Sequence, residues 1–329
     1  MVDSNAISIQ SLETYFGVRG KRFQQQYRDI LSGFKDWDQK SHAQDYLVFP
    51  ENMGEYLSLD ETALSNGELY TILINKAAKG KRGSIVGIFS GTKSDWIIDL
   101  IQKHFPKKLR DYVKEVSLDL AASMNMIASM CFRKAKRVAD RFHVQRLVCD
   151  AVQEIRIRHR WDAIDEDNFA FQDARKKGSA YKPTLLPNGD TKKQLLSRSR
   201  FALFKHHSKW TEKQRARTKI LFDLYPDLEQ AYAYSTSLCE IYQGKYLKQV
   251  GLLKLAQWEN EVQKSGFKSF SSIARTFHTH YDSISNYFIN RSTNASAESF
   301  NAKIKEFRRQ FRGVTDITFF LYRLTKIYA

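Results

Sequence analysis

Every strand signal in this chain falls between residues 46 and 140, and the order in which strands and helices alternate there restricts the fold to one mixed sheet covered by helices. The strand pattern starts at Tyr46. Tyr56-Leu-Ser-Leu-Asp-Glu-Thr62 alternates with the period of two that a half-buried strand requires. Ser65-Asn-Gly-Glu68 then supplies an Asn-Gly turn, the dipeptide that best matches hairpin twist, and Leu69 to Asn75 returns. Lys79-Gly-Lys-Arg-Gly83 is a second turn, leading into a third strand from Ser84 to Phe89. A helix carrying Trp96, Ile97, Leu100 and Ile101 closes near Phe105-Pro106. A strand over residues 112–119, a helix over 124–135, a short strand over 137–140 and a helix from 144 to about 158 complete the order βββ-α-β-α-β-α.

Beyond Asp162 the strand signals stop. Residues 163–290 are polar, basic and helical in pattern, with few Pro or Gly and no repeat, and read as an all-helical insertion domain. Two last helices, 295–309 and 315–328 with Gly313 between them, return to complete the sheet domain, which therefore comprises 45–162 and 291–329. Residues 1–44 form a helical lead-in: Ile9, Leu12, Tyr15 and Phe16, a break at Gly17-Val18-Arg19-Gly20, then Phe23 to Phe34. Two readings of it stand, a DNA-reading helix-turn-helix remnant or a segment packing on the next domain.

With 53 Lys+Arg against 36 Asp+Glu, the net charge is +17, which calls for a polyanionic partner. Nucleic acid is favoured over an anionic membrane surface. No apolar run reaches the roughly 20 residues of a membrane span, and the first residues carry no export leader, so the expected location is the cytoplasm, on the nucleoid. Hydrophobic residues at 42% exclude a mainly disordered chain. Cys131, Cys149 and Cys239 include no close pair, against a disulfide framework or zinc ribbon, and read as inert buried thiols.

Three acids stand where paired divalent ions would need them: Asp60 mid-way along a strand, Asp119 at a strand end, Glu298 in the first turn of a late helix. Carboxylates are the ligands Mg²⁺ and Mn²⁺ prefer. Each has a plainer reading: an exposed edge acid for Asp60, a helix cap for Asp119, dipole complementation for Glu298. Asp140 and His143 read first as a cap and a positioning residue of the following helix, and second as support beside the metals. Asn301, Lys305 and Arg308 follow Glu298 at spacings of 3, 7 and 10 and share its helical face. Residues 192–219 hold ten Lys/Arg against the single acid Glu212; Lys205, Lys209 and Lys213 there either track DNA phosphates or are simply solvated. Trp161, Trp210 and Trp258 read as core anchors of the insertion.

Leu57-Ser-Leu-Asp60-Glu-Thr62, Val116-Ser-Leu-Asp119, Val138-Ala-Asp-Arg-Phe-His-Val144 and Ser296-Ala-Glu298-Ser-Phe-Asn301-Ala-Lys-Ile-Lys305 together resemble a DDE transposase of a bacterial insertion sequence. The resemblance spans about residues 55 to 325. It implies a ribonuclease H-like α/β fold with flanking helices, Asp60, Asp119 and Glu298 as ligands of Mg²⁺ (with Mn²⁺ able to substitute), nicking at transposon ends and strand transfer by the freed 3′-hydroxyl. Double-stranded DNA is then the partner, as transposon end and as target, and synapsis of two ends implies a homodimer on DNA. The zinc ribbon of fuller relatives has no CxxC counterpart here, so either the lead-in helices or a separately encoded protein recognises the ends. The competing functions are a catalytically inactive or domesticated DNA-binding protein and a ribonuclease H-like nuclease without strand transfer.

Overall fold

The computed structural model describes residues 2–65, 68–311 and 316–329, so the Asn66-Gly67 turn and the Gly313 break lie outside the described residues. Contacts divide the chain into one compact unit of Met1–Asp140 with Asp282–Ala329 and a second of Arg141–Tyr281. The sequence reading sets the insertion at 163–290 instead.

The first unit is built on β1 (Tyr46–Val48), β2 (Tyr56–Ser65), β3 (Glu68–Asn75), β4 (Ile85–Ser90), β5 (Glu115–Leu118) and β6 (Lys136–Ala139). They form one sheet ordered β1-β4-β3-β2-β5-β6. β2, β3, β4 and β1 pair antiparallel, while β5 and β6 run parallel to β2. The mixed α/β class stands, with one strand more than the pattern announced. β1 is three residues at the sheet edge, too short to show a period.

Helices α1 (Leu12–Phe16) and α2 (Gly20–Gln26) precede the sheet; α3 (Ser94–His104), α4 (Lys107–Tyr112) and α5 (Ala122–Cys131) interrupt it. The strand expected from Tyr112 is corrected here: Tyr112 ends α4, which follows Pro106, a residue that suits a helix start, and β5 begins only at Glu115. Period-two alternation sends Leu57 and Leu59 to one face, where Ile97, Ile101, Met124 and Ile127 of α3 and α5 cover them. The opposite face, with Tyr70, Ile72 and Ile74, is covered by Phe300, Ile304 and Phe307 of α14 (Ala295–Gln310) and Phe320 and Leu324 of α15 (Ile317–Tyr328). The lead-in packs on this C-terminal helix: Ile9, Tyr27 and Phe34 lie against Phe319 and Tyr322. The buried Arg323 guanidinium donates to the carbonyls of Val2 (2.8 Å) and Asn5 (3.3 Å).

The second unit opens with α6 (Arg141–Lys176), a single helix of 36 residues. The end expected near Arg158 is absent because no Gly or Pro intervenes before Gly178, which takes a left-handed φ of 66°. The unit continues with α7 (Lys192–Arg198), α8 (Arg200–Leu203), α9 (Glu212–Leu224), α10 (Pro226–Gln243), α11 (Lys248–Lys264) and α12 (Lys268–Thr279). α13 (Tyr281–Asn290) leads back into the first unit. Val144, Val148, Ala151, Val152 and Ile155 form the buried stripe of α6. Two tryptophans anchor this unit, Trp210 stacked on Tyr232 and Trp258 donating to the Tyr234 carbonyl. Trp161 does not: at 57% exposure it lies on the surface, against the core reading.

Candidate active site

Parallel pairing in register sets the site. Leu59 lies beside Leu118 and Leu118 beside Ala139, so the next residue of each strand is an aspartate: Asp60, Asp119 and Asp140 stand at one level on three neighbouring strands. The Asp140 N–H donates to the Leu118 carbonyl (2.9 Å), extending the ladder by one rung. Because Leu57 and Leu59 belong to one core, alternation puts Ser58 and Asp60 on the α14 side.

Asp60 accepts Asn301 Nδ2 on Oδ2 (2.8 Å) and the Glu61 N–H on Oδ1 (2.9 Å). The Asn301 amide also reaches the Glu61 carbonyl (3.3 Å), and its Oδ1 is buried without a hydrogen-bond partner among the described residues. Asp119 accepts the N–H of Ala121, the N-cap residue of α5, on Oδ1 (2.9 Å), a contact at the helix start that leaves its Oδ2 outside this bond. Half-buried Glu61 was not singled out in the sequence. Its carboxyl is held above the ordinary value by burial and then by the negative charge of Asp119.

Glu298 sits in the first turn of α14, exposed, on a helix whose Ala297, Phe300, Ile304 and Phe307 are buried. Carboxylate oxygens of Glu298 and Asp140 lie within 4.8 Å of one another. Asp140 is only 1% exposed and accepts the Asn294 N–H (3.2 Å) on Oδ1. Its Oδ2 has no hydrogen-bond partner among the described residues. Its partner across the fold is therefore the residue preceding the Glu298 helix, which the capping reading did not anticipate. Asn294, also missed, is fully buried and bridges two strands: the Ser58 hydroxyl donates to its Oδ1 while its backbone holds Asp140. His143 lies in the first turn of α6, in the second unit.

Behind the aspartates on β5 lies a buried charge. Glu115, 2% exposed, faces Lys76 Nζ at 3.5 Å and accepts Asn290 Nδ2 at 3.1 Å; the Lys76 ammonium also donates to Ser117 (2.8 Å). Burial lowers the Lys76 pKa, with Glu115 and then Asp140 pulling the other way.

Lys305 is exposed and Arg308 half-buried along the later turns of α14. In the second unit Lys205, Lys209 and Lys213 are exposed and have no ion-pair partner among the described residues. Their neighbours differ: Lys192 pairs with Glu166, Lys193 with Asp167, and Arg198 and Arg217 with Asp190. Part of the basic run is thus neutralised by acids of its own unit.

The donor set suits a hard divalent cation, since it consists of carboxylate oxygens and one of them, Asp140 Oδ2, is buried and unpartnered among the described residues. The sequence model of a family described as Transposase, DDE_Tnp_ISL3, matches residues 57–324. No curated protein matches the chain.

Proposed function

The chain belongs to this family of DDE-type transposases of insertion sequences, and we propose that it nicks transposon ends by hydrolysing a phosphodiester and joins the freed 3′-hydroxyl to target DNA. Asp60, Asp119 and Glu298 are the residues that would hold two Mg²⁺ ions, with Mn²⁺ as a substitute. When bound, such ions supply activation of the attacking oxygen and stabilisation of the leaving one.

The remaining work falls to the chain's own groups. Asn301 orients the Asp60 carboxylate through its 2.8 Å hydrogen bond, and strand pairing holds Asp119 beside it. Asn294 ties the start of the Glu298 helix to β2 and to Asp140. Lys305 and Arg308 bind phosphates of the scissile strand, and Lys205, Lys209 and Lys213 bind flanking phosphates, positioning DNA without reading its sequence. Two copies of the chain hold the two ends, and a separately encoded protein assists end recognition.

The observation that carries this reading is the row of three aspartates on neighbouring parallel strands, with Glu298 within 4.8 Å of the last of them. The test is product analysis of labelled terminal DNA with a target plasmid in Mn²⁺, with and without any protein encoded beside this one. The reading expects nicked ends bearing 3′-hydroxyls, then joint molecules, both lost in Asp60→Asn. Nicks without joining would make the protein a nuclease; DNA binding without nicks would make it a binding protein only.

A further inference from the structure

We propose that Asp140 is itself a metal ligand, sharing an ion with Glu298, so that the site is built from four acids; this rests on the metal-dependent reading above. Asp140 is 99% removed from solvent, yet Oδ2 meets no donor among the described residues. A buried carboxylate oxygen in that state is unfavourable until a water, a proton or a cation completes it, and a second carboxylate beside it favours the cation. The half-buried Lys76 ammonium donates its hydrogen bonds to Ser117 and Glu115. What Asp140 does have close by is a second carboxylate, Glu298, within 4.8 Å. Two acids that near repel each other without a cation and chelate one in its presence. The Asn294 N–H on Oδ1 fixes the rotation of the group, as hydrogen-bonded second partners of ligating carboxylates do. Asp140 also completes the row begun by Asp60 and Asp119, so its position comes from strand register and not from a mobile loop.

A purely structural Asp140, needed only to accept the Asn294 N–H, is the alternative, and Asp140→Asn separates the two. The amide retains an acceptor oxygen for Asn294 and the same size, and removes the charge. Binding of Mn²⁺ would be followed by electron paramagnetic resonance of the free ion, without DNA, in the wild type and in Asp140→Asn, Glu298→Gln, the double variant and Asp60→Asn. Melting in EDTA would verify the fold. The expected result is a loss of at least about tenfold in Mn²⁺ affinity in Asp140→Asn, the same site lost in Glu298→Gln, and a double variant little worse than either. Wild-type affinity in Asp140→Asn, with Glu298→Gln impaired, would overturn the four-acid site and leave the parent reading intact. No Mn²⁺ binding by the wild type, or binding indifferent to Asp60→Asn and Glu298→Gln, would overturn both. Should Asp140→Asn fail to fold, Asp140→Cys tested with Cd²⁺ supplies the second readout: a thiolate-to-metal charge-transfer band absent from the wild type is expected, and Cd²⁺ binding without that band would refute the proposal.

Discussion

Replacing Asn301 by alanine separates activity from stability in a way the structure makes quantitative. The amide gives Asp60 a hydrogen bond of 2.8 Å, and bonds to a charged group contribute about 1.5–3 kcal/mol. The same side chain buries an unpartnered Oδ1, whose desolvation costs about 1–3 kcal/mol. Alanine removes both, together with the longer bond to the Glu61 carbonyl (3.3 Å), so the effects largely offset one another in folding, and the melting temperature should fall by only a few degrees. Catalysis has no such offset. If the bond serves to orient Asp60, its loss lowers the nicking rate by roughly ten- to hundredfold. Single-turnover nicking of labelled terminal DNA, alongside thermal melting, measures the two separately. A folded Asn301→Ala protein that nicks at the wild-type rate would refute the orienting role; a large fall in melting temperature with activity unchanged would show that the amide serves packing instead.

Phe300→Ala, which empties a fully buried position under the Glu298 helix, should cost about 3–5 kcal/mol in denaturant unfolding, and a cost below 1 kcal/mol would contradict the packing described. Lys76→Met leaves Glu115 buried without its cation and should cost about 3–5 kcal/mol; pairing it with Glu115→Leu should recover much of that, and no recovery would show the pair does not act as a unit. Changing Lys205, Lys209 and Lys213 together to alanine should flatten the salt dependence of DNA binding by up to about 2.7 in the log–log slope, about 0.9 per phosphate; an unchanged slope would remove them from the DNA surface. Burial pushes the Cys131 thiol up to about 12, so its reactive thiolate is scarce at pH 8 and alkylation of the native protein should spare it. Rapid labelling there would contradict its burial.

The sheet was readable from alternation and turn chemistry because Leu57, Leu59 and Leu73 share one covered face while Ile72 and Ile74 take the other, so period two shows which side each residue faces although both sides are buried. β1 and the true start of β5 were not, since three or four residues carry no period and Pro106 favours a helix over residues 107–112. The length of α6 was hidden by expecting a domain boundary where the sequence offers no helix breaker. Asp60 and Asp119 were visible as acids on or just past apolar strands, and the α14 face followed from the spacing of Phe300, Ile304 and Phe307. Asn294, Glu61 and the unpartnered oxygen of Asp140 depend on which strand ends meet, a tertiary fact with no local signature. Trp161 shows the same limit from the other side: an aromatic at a helical position says nothing of whether another helix lies over it.

Divalent cations for DNA cleavage are proposed to bind Asp60 within β2, Asp119 just past β5 and Glu298 on α14. Anomalous diffraction from crystals grown with Mn²⁺ and terminal DNA tests this assignment most directly. Mn²⁺ peaks are expected bonded to the carboxylates of Asp60, Asp119 and Glu298, with the scissile phosphate against them. Ordered DNA with Mn²⁺ bound elsewhere and none at these acids would contradict it.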